Sequence, residues 1–180
     1  MADSGHNDNI YHAEYSNYST SNKEETLEQL NDSYRGLVAG QDNLVCNLAN
    51  ASSLLWYAYK NLGINVNWAG FYITKKDNDQ KLILGPFQGK VACQEIQFGS
   101  GVCGTAALNQ QTEVVSDVSK FPGHIPCDGE TKSEIVVPII LNNKTVALID
   151  IDCLDYDAFG DVDRRYLEEL ASLIVETCKF

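Results

Sequence analysis

The sequence is poor in cations, in histidine and in paired cysteines, and each shortage removes a class of function. Lys and Arg number 13 against 25 Asp and Glu, a formal net charge of −12, and no basic stripe runs along the chain. So acidic a chain repels phosphate backbones, which excludes nucleic acid as a partner. No apolar run approaches the roughly 18 residues of a spanning helix. The N-terminus also lacks the basic-then-apolar layout of a signal peptide. Both absences argue against a membrane and for a soluble intracellular protein, cytoplasmic with nuclear entry left open. The histidines are three and scattered, His6, His12 and His124, and no Cys-x-x-Cys pair occurs. The spacing of a zinc site is therefore missing. Internal repeats and low-complexity segments are absent as well.

What is present is apolar substance and thiols. Hydrophobic residues make up 44% of 180, enough for one compact domain. Residues 1–21 read as a polar N-terminal arm, and 22–180 as a single domain. Ser21-Asn-Lys-Glu24 matches a capping box ahead of Leu27, Leu30, Tyr34 and Leu37 at helical spacing. A second helix begins near Asp42, carries Leu44, Leu48, Ala51, Leu55, Tyr59 and Leu62, and stops at Gly63. From Asn67 the period changes to that of strands. Trp68–Thr74 and Leu82–Phe87 form a hairpin, Gln94–Gln97 a short strand, and Gly99–Leu108 a Gly-rich loop entering a short helix. Thr112–Val115 is a further strand, and Glu134–Leu141 with Thr145–Asp152 a hairpin turned at 142–144. Asp161 caps a last helix. Helices bracketing about six mostly hairpin-connected strands make an α+β fold with an antiparallel sheet.

Six cysteines in a reducing compartment favour transient over structural disulfides. Cys46 and Cys178 fall in helices and are expected to pack, as free cysteines usually do. Cys153 closes a strand, where packing is also favoured. Cys93 follows a Gly-Lys turn, Cys103 sits in the Gly-rich loop, and Cys127 lies in the turn-rich run "HIPCDGETKSEIVVPI". Loop thiols in one small domain suit a relay in which one attacks and another resolves the product as a disulfide; incidental surface thiols are the plain alternative.

The acids form a second group. Asp150 and Asp152 are two apart on one strand and share a face, and a hairpin centred on residue 143 brings Glu134 opposite Asp152. Ile149 and Ile151 between them are apolar, so one face carries acid and the other core. Three clustered carboxylates call for a cation or a proton: a substrate ammonium, a metal such as Ca²⁺ or Mg²⁺, or a general-acid role. Trp68 and Tyr72, four apart on a strand, share a face as core or as the wall of a small pocket.

The strings "NWAGFYIT", "LILGPFQGKVAC", "GSGVCGTAA", "FPGHIPCDGETKSEIVVPI" and "LIDIDC", in this order and spacing, resemble the free methionine-R-sulfoxide reductases, a GAF-domain enzyme family, and its fungal members above all. The likeness runs from about Lys23 to the last helix. It implies a GAF-type sheet of about six strands and reduction of the R epimer of free methionine sulfoxide, with thioredoxin as reductant. By position it implies Cys127 as the attacking cysteine, Cys93 as the resolving one and Cys103 as an alternative resolver or relay. Glu134, Asp150 and Asp152 match the substrate-binding acids, and Trp68 and Tyr72 the wall around the substrate's methyl end. No tightly held cofactor or metal is implied, and a homodimer is compatible with the pattern. A thiol of pKa about 8.5 is only ~3% thiolate near neutral pH, and neighbouring carboxylates push it further toward the thiol. The substrate's ammonium, by neutralising part of the acid cluster, is expected to relieve that penalty. His124, three residues before Cys127, is within loop reach of it. The competing readings are a GAF-type small-molecule sensor and a thiol redox regulator without turnover.

Overall fold

The computed structural model describes residues 11–123 and 127–180. Among these residues four α-helices, α1 (Lys23–Leu37), α2 (Leu44–Asn61), α3 (Gly101–Asn109) and α4 (Asp161–Thr177), surround six strands. These are β1 (Val66–Lys75), β2 (Asn78–Gly89), β3 (Glu95–Gln97), β4 (Glu113–Val115), β5 (Ser133–Leu141) and β6 (Lys144–Cys153). They form one antiparallel sheet in the order β3-β2-β1-β6-β5-β4. This is the α+β architecture that the pattern of elements predicts.

Period-2 alternation assigns the two faces of the sheet. Phe71, Ile135, Val137, Ile149 and Ile151 pack with α1, α2 and α4 in the larger core. Trp68, Tyr72, Val136 and Leu148 point the other way, onto α3 and the segment holding Val115 and Val118. Asn142 and Asn143 both adopt positive φ, 51° and 60°, the backbone of a tight hairpin turn that Asn tolerates. That turn fixes the register, and Glu134 faces Asp152 across β5 and β6 as expected.

Asp163, almost fully buried, ties three helices together. It accepts from Lys23 Nζ at 2.8 Å, Tyr59 Oη at 2.9 Å and the Gly160 backbone N–H at 2.8 Å. Before α1, Tyr15 and Tyr18 pack against the larger core, and Tyr18 Oη donates to the Leu54 carbonyl at 2.9 Å.

Four local expectations are corrected. The cap of α1 is Asn22, not Ser21: its side chain accepts from Glu25 N at 3.1 Å. Asn is as good a cap as Ser, and Thr20 Oγ1 holds the Asn22 N–H at 3.1 Å. Asp161 is the first residue of α4 rather than its cap, which is Gly160. Cys46 is exposed rather than packed. It shares the outer face of α2 with Asn50 and Tyr57, both exposed, and helical phase there overrides the usual burial of cysteine. Cys103 lies within α3 and is buried, so it is not a loop thiol. Cys153 and Cys178 are buried in the larger core, as packing residues should be. Among the described residues no helix is long and apolar enough to cross a membrane.

Candidate active site

A cavity of about 230 Å³ opens between the α3 face of the sheet and two loops. Its floor is the middle of the sheet. Trp68 and Tyr72, from β1, stack with ring centroids 5.8 Å apart, and Phe87 of β2 also stacks with Trp68, at 5.2 Å. Gly70, between the two aromatics on the same face, makes room for this row. A Cβ there would lie 2.3 Å from Phe87 Cβ.

Beside the aromatic wall stand the three acids. Glu134 and Asp150 are each 6% exposed, and Asp152 is half-buried. Burial pushes the Asp150 carboxyl up to about 7. Glu134 is held well above the usual carboxylate range by burial first and then by the charges of Asp150 and Asp152. Asp152 rises for the same first reason, and then through Asp150 and Asp128. Within this trio the charges oppose one another, so ionisation of one carboxyl helps keep the others protonated. Cys103 contributes a thiol 3.9 Å from Glu134 Oε1. Burial, then Asp150 and Glu134, hold that thiol well above its ordinary pKa.

Two polar atoms of the lining have no partner among the described residues, Trp68 Nε1 and Asp150 Oδ1. Orphaned buried polar atoms are rare in folded proteins. Two of them on one cavity mark a place where a ligand supplies the missing acceptor and donor.

The mouth carries the remaining cysteines. Cys93, in the loop between β2 and β3, and Cys127, in the loop before β5, are joined as a disulfide with Cα atoms 5.7 Å apart. Cys127 is exposed and Cys93 half-buried. Tyr72 Oη donates to the Cys93 carbonyl at 3.0 Å, so the aromatic wall also anchors the first of these loops. Burial, then the surrounding acids and Cys103, raise the Tyr72 phenol and keep it a donor.

The second loop is held at Asp128, which accepts from Asn67 Nδ2 at 3.2 Å and lies 3.7 Å from Lys90 Nζ. The Glu130 backbone N–H foremost, then Asn67 and Lys90, depress the Asp128 carboxyl. Asn67, Lys90 and Asp128 were not among the expected site residues. The Asp-Gly turn at Asp128 is the one local sign of them, since its side chain caps Glu130 N at 3.0 Å. His124 lies outside the described residues. The eight expected residues, from β1, β5, β6, α3 and the two loops, all line this one cavity.

A GAF-domain family model matches residues 50–177. The free methionine-R-sulfoxide reductase of Saccharomyces cerevisiae is 62% identical over 98% of this chain and 99% of its own length. A solved GAF-domain structure superposes with a TM-score of 0.93 at 63% identity, covering 96% of this chain and 99% of that one. The free methionine-R-sulfoxide reductase of Neisseria meningitidis, solved with its substrate, superposes with a TM-score of 0.82 at 35% identity, covering 89% and 93%.

Proposed function

The chain belongs to the free methionine-R-sulfoxide reductases of the GAF-domain family, and on that premise we propose that it reduces the R epimer of free methionine sulfoxide to methionine. The observation that carries the reading is a disulfide, Cys93–Cys127, at the mouth of a cavity whose floor is buried acid and aromatic surface. A reductase of this kind needs a nucleophilic thiol, a second thiol to resolve it, a proton donor and a seat for an amino acid.

The substrate's ammonium sits against Asp150, whose buried Oδ1 has no partner among the described residues. A methionine residue inside a peptide has no such ammonium, so the acids select the free amino acid. The S-methyl group lies against Trp68 and Tyr72. Cys127, as thiolate, attacks the sulfoxide sulfur, and a protonated carboxyl, Glu134 or Asp152, delivers its proton to the sulfoxide oxygen. The oxygen passes to Cys127, which becomes a sulfenic acid as methionine departs two electrons richer. Cys93 then displaces hydroxide as water and closes the disulfide. A dithiol reductant, thioredoxin, reopens it by exchange. Cys103 enters only as an alternative resolving thiol, and a slow one, because burial and neighbouring acids keep it protonated.

The test is an assay with thioredoxin, its reductase and NADPH. The expected outcome is NADPH oxidation with the R epimer, none with the S epimer, and none after Cys127→Ser. Binding of the R epimer without turnover would refute the enzyme and leave a small-molecule sensor. Neither binding nor turnover, with the disulfide still cycling, would leave a redox regulator.

A further inference from the structure

Among the carboxylates at the cavity floor is packed a buried thiol, Cys103, that sulfoxide reduction does not by itself require. Cys103 Sγ, a Glu134 oxygen and an Asp150 oxygen all lie within 4.8 Å of one another, with Sγ and Glu134 Oε1 3.9 Å apart. Tetrahedral zinc, with Zn–S of about 2.3 Å and Zn–O of about 2.0 Å, sets an S···O edge of roughly 3.5 Å. For that pair an adjustment of a few tenths of an ångström suffices, and the Asp150 oxygen, within 4.8 Å of both, reaches the same edge by a side-chain shift of up to roughly 1.5 Å. Asp150 supplies the independent observation. It is 6% exposed, and its Oδ1 is buried with no hydrogen-bond partner among the described residues. A buried carboxylate oxygen in that position demands a cation or a proton.

We propose that Cys103, Glu134 and Asp150 form a binding site for a borderline divalent cation of the zinc class, with Asp152 or water as the fourth ligand. The thiol decides the class. Calcium and magnesium take oxygen shells of six or more ligands, whereas zinc accepts four of mixed sulfur and oxygen. On binding, the thiol proton and any proton held by the ligating carboxyls pass to solvent, and sulfur–metal and oxygen–metal bonds form with no change of oxidation state. The ligands come from α3, β5 and β6, so no short sequence motif marks the site. The cation is not a cofactor of the reduction. It occupies the acids against which the substrate ammonium is placed, so metal and free amino acid exclude one another. This exclusion rests on the proposed function; the metal site itself does not.

The experiment is a Co²⁺ titration of the oxidised protein, in which Cys93 and Cys127 are bonded and Cys103 is the free thiol of the cavity. The expected result is a near-ultraviolet thiolate-to-cobalt band that saturates at one equivalent and is bleached by Zn²⁺. Cys103→Ser should lose the band with its circular dichroism unchanged, and Cys46→Ser should keep it. Asp150→Asn should weaken cobalt binding by at least the roughly 10-fold that changes next to metal ligands cause. No band in the folded wild-type protein, or a band that survives Cys103→Ser, overturns the proposal. Free methionine-R-sulfoxide should displace the cobalt. A band persisting at saturating substrate in a protein that turns over refutes the exclusion. An intact band in a protein without turnover supports the metal site and refutes the reductase reading.

Discussion

Asp150→Asn is expected to weaken substrate binding and, at the same time, to stabilise the fold in a pH-dependent way. The carboxyl is raised from its ordinary 3.8 to about 7 in the folded chain. A group raised on folding leaves stability intact below its unfolded pKa and removes it as pH climbs through the folded value. Three pKa units at about 1.36 kcal/mol each make the wild-type penalty ~4 kcal/mol once both states are ionised. Of this, about 2–3 kcal/mol develops between about pH 5 and about pH 8. Asparagine has no such titration, and removing the charge also relieves Glu134 and Asp152, whose pKa values it helps to raise. Urea unfolding of the two oxidised proteins at both pH values measures the gap. It should widen toward alkaline pH by about 2–3 kcal/mol. A gap that stays constant or narrows as pH rises would refute the picture of a buried carboxyl waiting for a cation.

Three further outcomes follow from the packing. In Gly104→Ala the new Cβ meets the Gln97 carbonyl oxygen at 2.3 Å; equilibrium unfolding should show a loss of ~1–3 kcal/mol, typical of overpacking. Asp163→Ala strands Tyr59 Oη, the Gly160 N–H and the Lys23 ammonium. A loss of about 2–4 kcal/mol is expected in urea unfolding, against a small change for an exposed ion pair such as Arg35–Asp32. Reducing the Cys93–Cys127 bond, which joins residues 34 apart, should lower stability by up to ~4 kcal/mol from released chain entropy, read as the shift in urea midpoint with and without dithiothreitol.

The parts of this molecule that were legible in the sequence are those where local chemistry and global fold agree. The strand acids are an example. A two-Asn turn and the alternation Ile149-Asp150-Ile151-Asp152 leave one register that buries isoleucine and gathers carboxyl groups, and the structure adopts it. Cys103 was harder to place. Gly99 and Gly101 before it suggest a loop, yet α3 begins at Gly101 and closes over the sheet, because Val102, Ala106 and Ala107 have a tertiary face to fill. Cys46 fails the other way: residue type argued for burial, while its phase on α2 put it outside. The props at the cavity mouth, Asn67 and Lys90, reach Asp128 from distant segments, and side-chain partnerships of that kind leave no periodic trace.

The sheet and its loops carry different halves of the chemistry. The acids alternate with core aliphatics on β5 and β6, so their positions cannot move without dragging the larger core along. The two bonded thiols belong to connecting segments outside that alternation. On the proposed function, recognition of a free amino acid is thus locked to the architecture, while the redox couple is mounted on exchangeable parts. A thiol in those loops can be shifted, added or discarded without disturbing the sheet, while the acid cluster stays where folding put it.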